Sequence, residues 1–217
     1  GHGDVDLLEA LTVSCNNYFY NLGLALGPDR LSQGALAFGL SQPTGILLGK
    51  EAKGLVPSKR WKKAALNQPW YDGETAHFAI GQGYIAVTPI QVARFVSCFA
   101  NGGYLVSPYV VKGSSEKPRL LSLDPAAIRT VRKGLFRVVN DPSGTGKNAH
   151  VEGLAISGKT GTAEVGGARP HGWFCGYLEN ETSPIALAVF IEHGEQGSRF
   201  PAMMAGYIFA WWKENRA

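Results

Sequence analysis

A lysine, a glycine and two threonines stand together at Lys159-Thr160-Gly161-Thr162, inside the stretch from Ala155 to Val165. An ammonium flanked by two hydroxyls on a rigid strand can hold a carboxylate and favour a negative charge that develops beside it. Ile156, Ala163 and Val165 give the stretch a partly buried strand character, and Gly158 and Gly161 interrupt it. A glycine inside a strand weakens pairing and marks close approach of another backbone or a ligand. In strict alternation Thr160 and Thr162 share one face, while Lys159 and Gly161 share the other. An ordinary edge strand with an exposed lysine carries the same pattern, so this stretch alone decides nothing. A second candidate hydroxyl lies far upstream, in Ser14-Cys15-Asn16. Serine and asparagine collect at helix junctions because their side chains compete for backbone hydrogen bonds, so an isolated Ser-x-Asn triplet is equally a plain junction.

The elements that must position these groups are legible from spacing. A first helix is expected over Asp4 to Val13, with Asp4 as N-cap and Leu7, Leu8 and Leu11 on its apolar face. A second carries Tyr18, Phe19, Leu22 and Leu26 and stops at Gly27-Pro28. Thr88-Pro-Ile-Gln91 is a capping box with proline at the first helical position. The helix it starts turns Ile90, Val92, Val96 and Phe99 inward and ends at Asn101-Gly-Gly103. Gly81-Gln-Gly83 ahead of it is equally a plain tight turn or a loop with a further role, and the residues alone do not choose. Asp124-Pro125 opens a further helix with Ile128, Val131, Leu135 and Val138 as its stripe, closed by Asp141-Pro-Ser-Gly144. Ser143-Gly-Thr-Gly-Lys147 fails as a phosphate loop, since Asp141 replaces the required glycine and no strand precedes it. Strands are expected over Gly172 to Leu178 and Pro184 to Ile191, joined by Glu179-Asn-Glu-Thr-Ser183 as an antiparallel hairpin. Phe200 to Lys213 forms a terminal helix. The fold class is therefore α+β, an antiparallel sheet covered by helices, with a helical part over 1–150 and the sheet and closing helix over 151–217.

Composition narrows the function. With 217 residues, 45% of them hydrophobic and 18% charged, the chain is globular. Such a length can bury roughly 70% of its unfolded surface. The net charge of +4 is mild and gathers in Lys50 to Lys63, where six basic residues face only Glu51. That run is expected to be a solvated loop. A single aromatic, Trp61, is too little interleaving for a nucleic-acid surface, so no nucleic-acid partner is expected. Cys15, Cys98 and Cys175 show no ligand spacing and read as small buried side chains. His171 and the Glu192-His193 pair lack a second ligand at suitable spacing, so neither a metal nor a cofactor is expected. No apolar run approaches the 18 residues that would suggest a membrane span, and no leader-like pattern opens the chain.

Ser-x-Asn followed far downstream by Lys-Thr-Gly is two thirds of a motif set of serine β-lactamases and penicillin-binding proteins, the third being Ser-x-x-Lys. The similarity extends beyond the triplets. It takes in Val5-Asp-Leu-Leu-Glu-Ala-Leu-Thr-Val-Ser-Cys-Asn-Asn-Tyr-Phe-Tyr20, Phe38-Gly39 with Thr44-Gly-Ile46, and Gly54-Leu-Val-Pro57 with Trp61-Lys62. Ile80-Gly-Gln-Gly-Tyr84 with Thr88-Pro-Ile-Gln91, Ser157-Gly-Lys-Thr-Gly-Thr-Ala163 and His171-Gly-Trp-Phe174 complete it. The chain resembles the C-terminal part of a penicillin-binding protein transpeptidase domain, of the class B, elongation-type D,D-transpeptidases of peptidoglycan synthesis. One departure matters. Ser-x-x-Lys should lie upstream of Ser14, and the single match here, Ser114-Ser-Glu-Lys117, sits between the other motifs in a loop before Pro118, where no helix holds serine and lysine one turn apart. The resemblance thus implies a transpeptidase whose nucleophile-bearing N-terminal part is absent from this chain, which alone would be inactive.

What the resemblance implies for the site is specific. The absent serine attacks the D-Ala–D-Ala bond of a peptidoglycan stem peptide, and Ser14 relays the proton toward the leaving amine with Lys159 as the neighbouring cation. Asn16 bonds the substrate backbone, and the loop at Gly81-Gln-Gly83 lies near the cleft. Thr160, Gly161 and Thr162 bind the terminal carboxylate that β-lactams mimic, with the Thr162 N–H as one oxyanion donor. Expected partners are the stem peptide, β-lactam antibiotics, the missing N-terminal half and the cell-wall elongation machinery. The expected location is the outer face of the inner membrane, with an anchor upstream. Leu7, Leu8, Leu11, Phe19 and Leu22 need a partner layer, which in the family includes the helix of the missing serine. Two other readings stay open: a serine β-lactamase or β-lactam sensor, against which no deacylating glutamate motif is found, and a non-catalytic remnant that binds stem peptides or a cell-wall partner. If the cleft is built as the resemblance implies, the Lys159 nitrogen lies within about 3–4 Å of the Ser14 oxygen.

Overall fold

A computed structural model describes residues 2–46, 48–114, 116–179 and 184–216. The helices are α1 (Leu7–Thr12), α2 (Asn16–Leu26), α3 (Pro28–Ala37), α4 (Lys59–Leu66), α5 (Asp72–Ala79), α6 (Pro89–Ala100), α7 (Pro125–Asn140) and α8 (Phe200–Arg216). A short antiparallel pair, β1 (Tyr104–Leu105) and β2 (Arg119–Leu120), lies between α6 and α7. The main sheet is antiparallel in the order β3 (Ile156–Val165), β4 (Ala168–Leu178), β5 (Ile185–Ile191). The α+β expectation of an antiparallel sheet covered by helices describes this architecture.

Two registers fix where the chemistry lies. Lys159 pairs opposite Cys175, and Thr160 opposite Phe174. Side chains alternate across a strand, and the two neighbours go to different layers. Phe174 and Leu178 pack with Ala202, Ala205 and Phe209 of α8. Tyr177 packs with Val96, Phe99 and Leu135 of α6 and α7, and Cys175 borders that cluster. Lys159 therefore starts from the α6/α7 face and Thr160 from the α8 face. β3 is at the end of the strand order, so its outer edge is available to whatever lies in front of it.

Gly158 fits the expectation for a strand glycine. A Cβ there would meet Phe174 Cζ at 2.4 Å and the Cys175 carbonyl at 2.8 Å. Helix starts follow their caps: Thr88 with Gln91 makes the α6 capping box, and Asp124 accepts from Ala126 N–H at α7.

Three readings need correction. α1 begins at Leu7 with Asp6 as its cap, because Asp6 and Glu9, rather than Asp4, form the reciprocal box. The basic run does not stay a loop, for Ser58 caps α4 over Lys59–Leu66. Within it Lys62 is 1% exposed. Its ammonium is paired with Glu74 and lies 4.8 Å from the centre of the Tyr71 ring. Desolvation opposes the Glu74 carboxylate, but the Lys62 ammonium and the Tyr71 N–H outweigh it and hold the group below the usual carboxylate range. β4 also begins earlier than expected, at Ala168. Residues 180–183 of the expected hairpin link, and Ser115 of the Ser114–Lys117 match, lie outside the described residues.

Candidate active site

Ser14 occupies the junction between α1 and α2 in a left-handed backbone conformation, φ 55°. For a non-glycine residue this is a strained state of order 1–3 kcal/mol, which surrounding contacts must hold. They do so from both sides. Ser14 N–H reaches Leu11 O at 3.3 Å, and Cys15 N–H donates to Ala10 O at 2.9 Å. Cys15, 6% exposed, plugs the junction into the protein. The left-handed residue turns the chain sharply, so that Asn16 opens α2 on the same rim as the Ser14 hydroxyl.

Lys159 comes to meet it. Its Nζ donates to Ser14 Oγ at 2.8 Å and to Thr160 O at 3.0 Å, bridging 145 residues of sequence in the first case. The distance lies within that expected from the resemblance. Both acceptors are neutral, and burial pushes the Lys159 amine down to about 8 from its ordinary 10.5. Cys175, opposite Lys159 in the ladder, has its thiol pushed up to about 11 by burial, so it adds no negative charge near neutrality. A lysine with a pKa near 8 is mostly protonated at pH 7, yet within reach of titration. Ser14 Oγ beside it is a hydroxyl whose anion-like states are favoured by an adjacent cation.

A cleft of about 1040 Å³ opens between these groups, with Ser14, Asn16, Phe19 and Tyr20 on its helical wall and Lys159, Thr160, Gly161 and Thr162 on its strand wall. Every site residue expected from the sequence lines this one cavity. Asn16 and Thr162 are exposed to it, and Ser14, Lys159, Thr160 and Gly161 are half-buried. Thr162 Oγ1 accepts the Gly197 N–H at 3.4 Å. Gly197 itself packs onto β3 so closely that a Cβ on it would meet Gly161 O at 2.1 Å.

Two cleft residues had no role in the sequence reading. Thr145 Oγ1 lies 2.8 Å from Thr160 Oγ1, and its N–H donates to Thr12 O at 3.2 Å, just before Ser14. It comes from Ser143-Gly-Thr-Gly-Lys147, the segment rejected as a phosphate loop. Its flanking Gly144 carried the available signal, since a Cβ there would meet Val138 O at 2.3 Å. Gln82, from the Gly81-Gln-Gly83 loop, reaches the outer edge of β3, donating to Thr162 O at 2.8 Å and accepting Glu164 N–H at 3.3 Å.

The family model of the penicillin binding protein transpeptidase domain matches residues 1–210. The chain belongs to the penicillin-binding protein transpeptidase domain family. It is 31% identical, over its whole length, to the peptidoglycan D,D-transpeptidase MrdA of Haemophilus influenzae, and 33% identical to that of Acinetobacter baumannii. It covers 37% and 36% of those relatives, so the chain spans little more than a third of their length. Among solved structures, penicillin-binding protein PBP2 of Helicobacter pylori in complex with MreC superposes with a TM-score of 0.91 at 30% identity, over 100% of this chain and 42% of that one. PBP2 of Pseudomonas aeruginosa in complex with WCK 5153 gives 0.82 at 36% identity, over 95% and 49%. Membership assigns this chain its fold and family, while the work of each cleft residue rests on the geometry above.

Proposed function

We propose that this chain is the C-terminal part of a class B peptidoglycan D,D-transpeptidase domain, acting on D-Ala–D-Ala stem peptides by serine acyl transfer. The observation that carries the reading is the 2.8 Å contact between Lys159 Nζ and Ser14 Oγ. A cationic amine on a strand and a serine hydroxyl on a strained helix junction form a proton relay without a carboxylate.

In this mechanism a serine of a Ser-x-x-Lys segment, outside these 217 residues, attacks the carbonyl of the penultimate D-Ala and gives its proton to that segment's own lysine, from which the relay is refilled. The bond to the terminal D-Ala breaks as the acyl–serine ester forms. Ser14 passes its proton to the departing amine and is reprotonated through the relay, Lys159 keeping the relay's anionic side favourable. Thr162 N–H donates to the tetrahedral oxyanion. Thr160 and Thr162 hydroxyls hold the terminal carboxylate, and the Asn16 amide bonds the acyl part's backbone. An amine of a second stem peptide then takes the acyl group from the serine. β-Lactams would enter by mimicking the same carboxylate and carbonyl. The solved complex of a related protein, PBP2 with MreC, supports cell-wall machinery as a partner of the same kind. Such an enzyme works on the outer face of the inner membrane; among the described residues no helix is long and apolar enough to cross one.

The test is covalent labelling with a fluorescent penicillin. A polypeptide of these 217 residues should remain unlabelled, and the same chain joined to its Ser-x-x-Lys segment should label and be protected by excess unlabelled penicillin. Labelling of the 217-residue polypeptide that is abolished by prior denaturation would place the nucleophile within these residues and overturn the assignment.

A further inference from the structure

The outer edge of β3 is already paired in this structure, by a side chain. The Gln82 amide donates to Thr162 O at 2.8 Å and accepts Glu164 N–H at 3.3 Å, across 80 and 82 residues of sequence. On a strand the N–H and C=O of one residue point to the same side, and a hydrogen-bonded antiparallel pair exchanges both. Thr162 O on the outer edge therefore brings Thr162 N–H to that edge as well. A substrate residue whose carbonyl oxygen takes Thr162 N–H delivers its own N–H to Thr162 O, the atom that Gln82 holds. We propose that Gln82 is a specificity-determining residue whose amide stands in for the N–H of the acyl residue and leaves Thr162 O when that N–H arrives. The inference rests on the transpeptidase reading and names the ligand feature that the same site senses.

The loop is built for such an exchange. Gly81 and Gly83 flank Gln82 with φ of +77° and +78°, and nothing lies within 4 Å of where a Gly81 Cβ would stand. Such hinges let the amide swing without disturbing the core beneath β3. A ligand lacking the N–H leaves the Gln82 bond in place. A ligand carrying it trades one hydrogen bond for another, so the native residue mutes the benefit of the N–H.

The experiment compares an N-acyl-D-Ala-D-Ala peptide with its analogue N-methylated at the penultimate D-Ala, in the domain that joins this chain to its Ser-x-x-Lys segment. In Gln82→Ala the preference in kcat/KM for the N–H peptide should rise about fivefold over wild type, the factor carried by one net hydrogen bond. Gln82→Glu keeps the length but has no donor for Thr162 O, and should show the same rise. An unchanged or lowered preference in both variants overturns the proposal. As a readout independent of turnover, the side-chain amide resonances of Gln82 should shift with the N–H peptide and not with the N-methyl one; equal shifts overturn it as well. Wild-type turnover of the N–H peptide in the same assay reports separately on the transpeptidase reading.

Discussion

The two walls of the cleft are held by different means. The strand wall is anchored in the core: Ile156, Phe174 and Tyr177 are fully buried, and Gly158 lies against Phe174 with no room for a methyl group. The helical wall is anchored at points. α1 docks on α7 at Gly134, where a Cβ would meet Leu11 Cδ1 at 2.5 Å, and α2 docks on α5 at Gly23, where it would meet Ala79 Cβ at 2.3 Å. Gly23 is the one buried residue of α2, whose Leu22, Leu24 and Leu26 are 39%, 45% and 39% exposed. Lys159, Thr160 and Thr162 thus inherit their positions from close packing. Ser14 and Asn16 hold theirs through a left-handed turn, two glycine contacts and the hydrogen bonds that cross the cleft. Removing packing should therefore hurt the strand wall most, and removing single polar contacts should hurt the helical wall.

The largest effect is expected at Phe174, which is buried under β3 and opposite Thr160. Phe174→Ala leaves a cavity at the centre of the sheet and should cost about 3–5 kcal/mol in urea unfolding. A loss below about 1 kcal/mol would mean that the strand wall is not held by its core.

Next comes Lys159, where the two walls meet. Lys159→Met keeps the stem and removes the ammonium, and should slow penicillin acylation of the joined domain by about 10²–10³-fold, the scale of losing one preorganised electrostatic group. The wild-type rate should fall as pH rises through about 8, where the amine loses its charge. Stability moves the other way. The folded-state pKa is below the ordinary 10.5, so between about 8 and 10.5 the unfolded chain binds more protons and this group's contribution to stability rises with pH. Activity and stability falling together above pH 8 would point to unfolding rather than to titration of Lys159.

Much of this was legible in the sequence, for reasons that differ by residue. Ser14, Asn16 and Lys159–Thr162 were found because their residue types, spacing and order match a short motif set, and α6 and α7 because proline and capping residues mark a start locally. Lys62 was misread because charge alone says solvent; its partners Glu74 and Tyr71 come from α5 and the residue that caps it. α3 and α5 passed unread, since α5 sets an aromatic and two alanines among polar residues and shows no clear stripe. Thr145 was invisible as a site residue, and the Gln82 loop was placed near the cleft by resemblance but without a role, because their partners, Thr160 and the edge of β3, are brought near only by tertiary folding. Periodicity reports which face is buried and says little about which polar side chain reaches across a cleft.

A smaller effect tests the link between the walls. Thr145→Val removes the hydroxyl bonded to Thr160 Oγ1 at nearly constant shape. It should weaken recognition of the terminal carboxylate about fivefold, one net hydrogen bond, as a rise in KM with kcat little changed. Thr145→Ser should restore it. A matching loss for a substrate amidated at its C-terminus would show that Thr145 supports the fold rather than the orientation of Thr160.

The smallest effect is expected at Leu22, and its size carries information about the helical wall. Exposed to 39% in this chain, the side chain has little left to lose. Leu22→Ala in a polypeptide of these 217 residues should change the unfolding free energy by no more than about 0.5 kcal/mol, the range of surface substitutions. If the Ser-x-x-Lys segment supplies the layer that covers α2, the same substitution in the joined domain creates a cavity and should cost about 2 kcal/mol or more. The difference between the two values measures how far that segment completes the wall that presents Ser14 and Asn16. Equal, small values in both would show that α2 stays uncovered, and the positions of Ser14 and Asn16 would then rest on the left-handed turn, the two glycine contacts and the hydrogen bonds that cross the cleft.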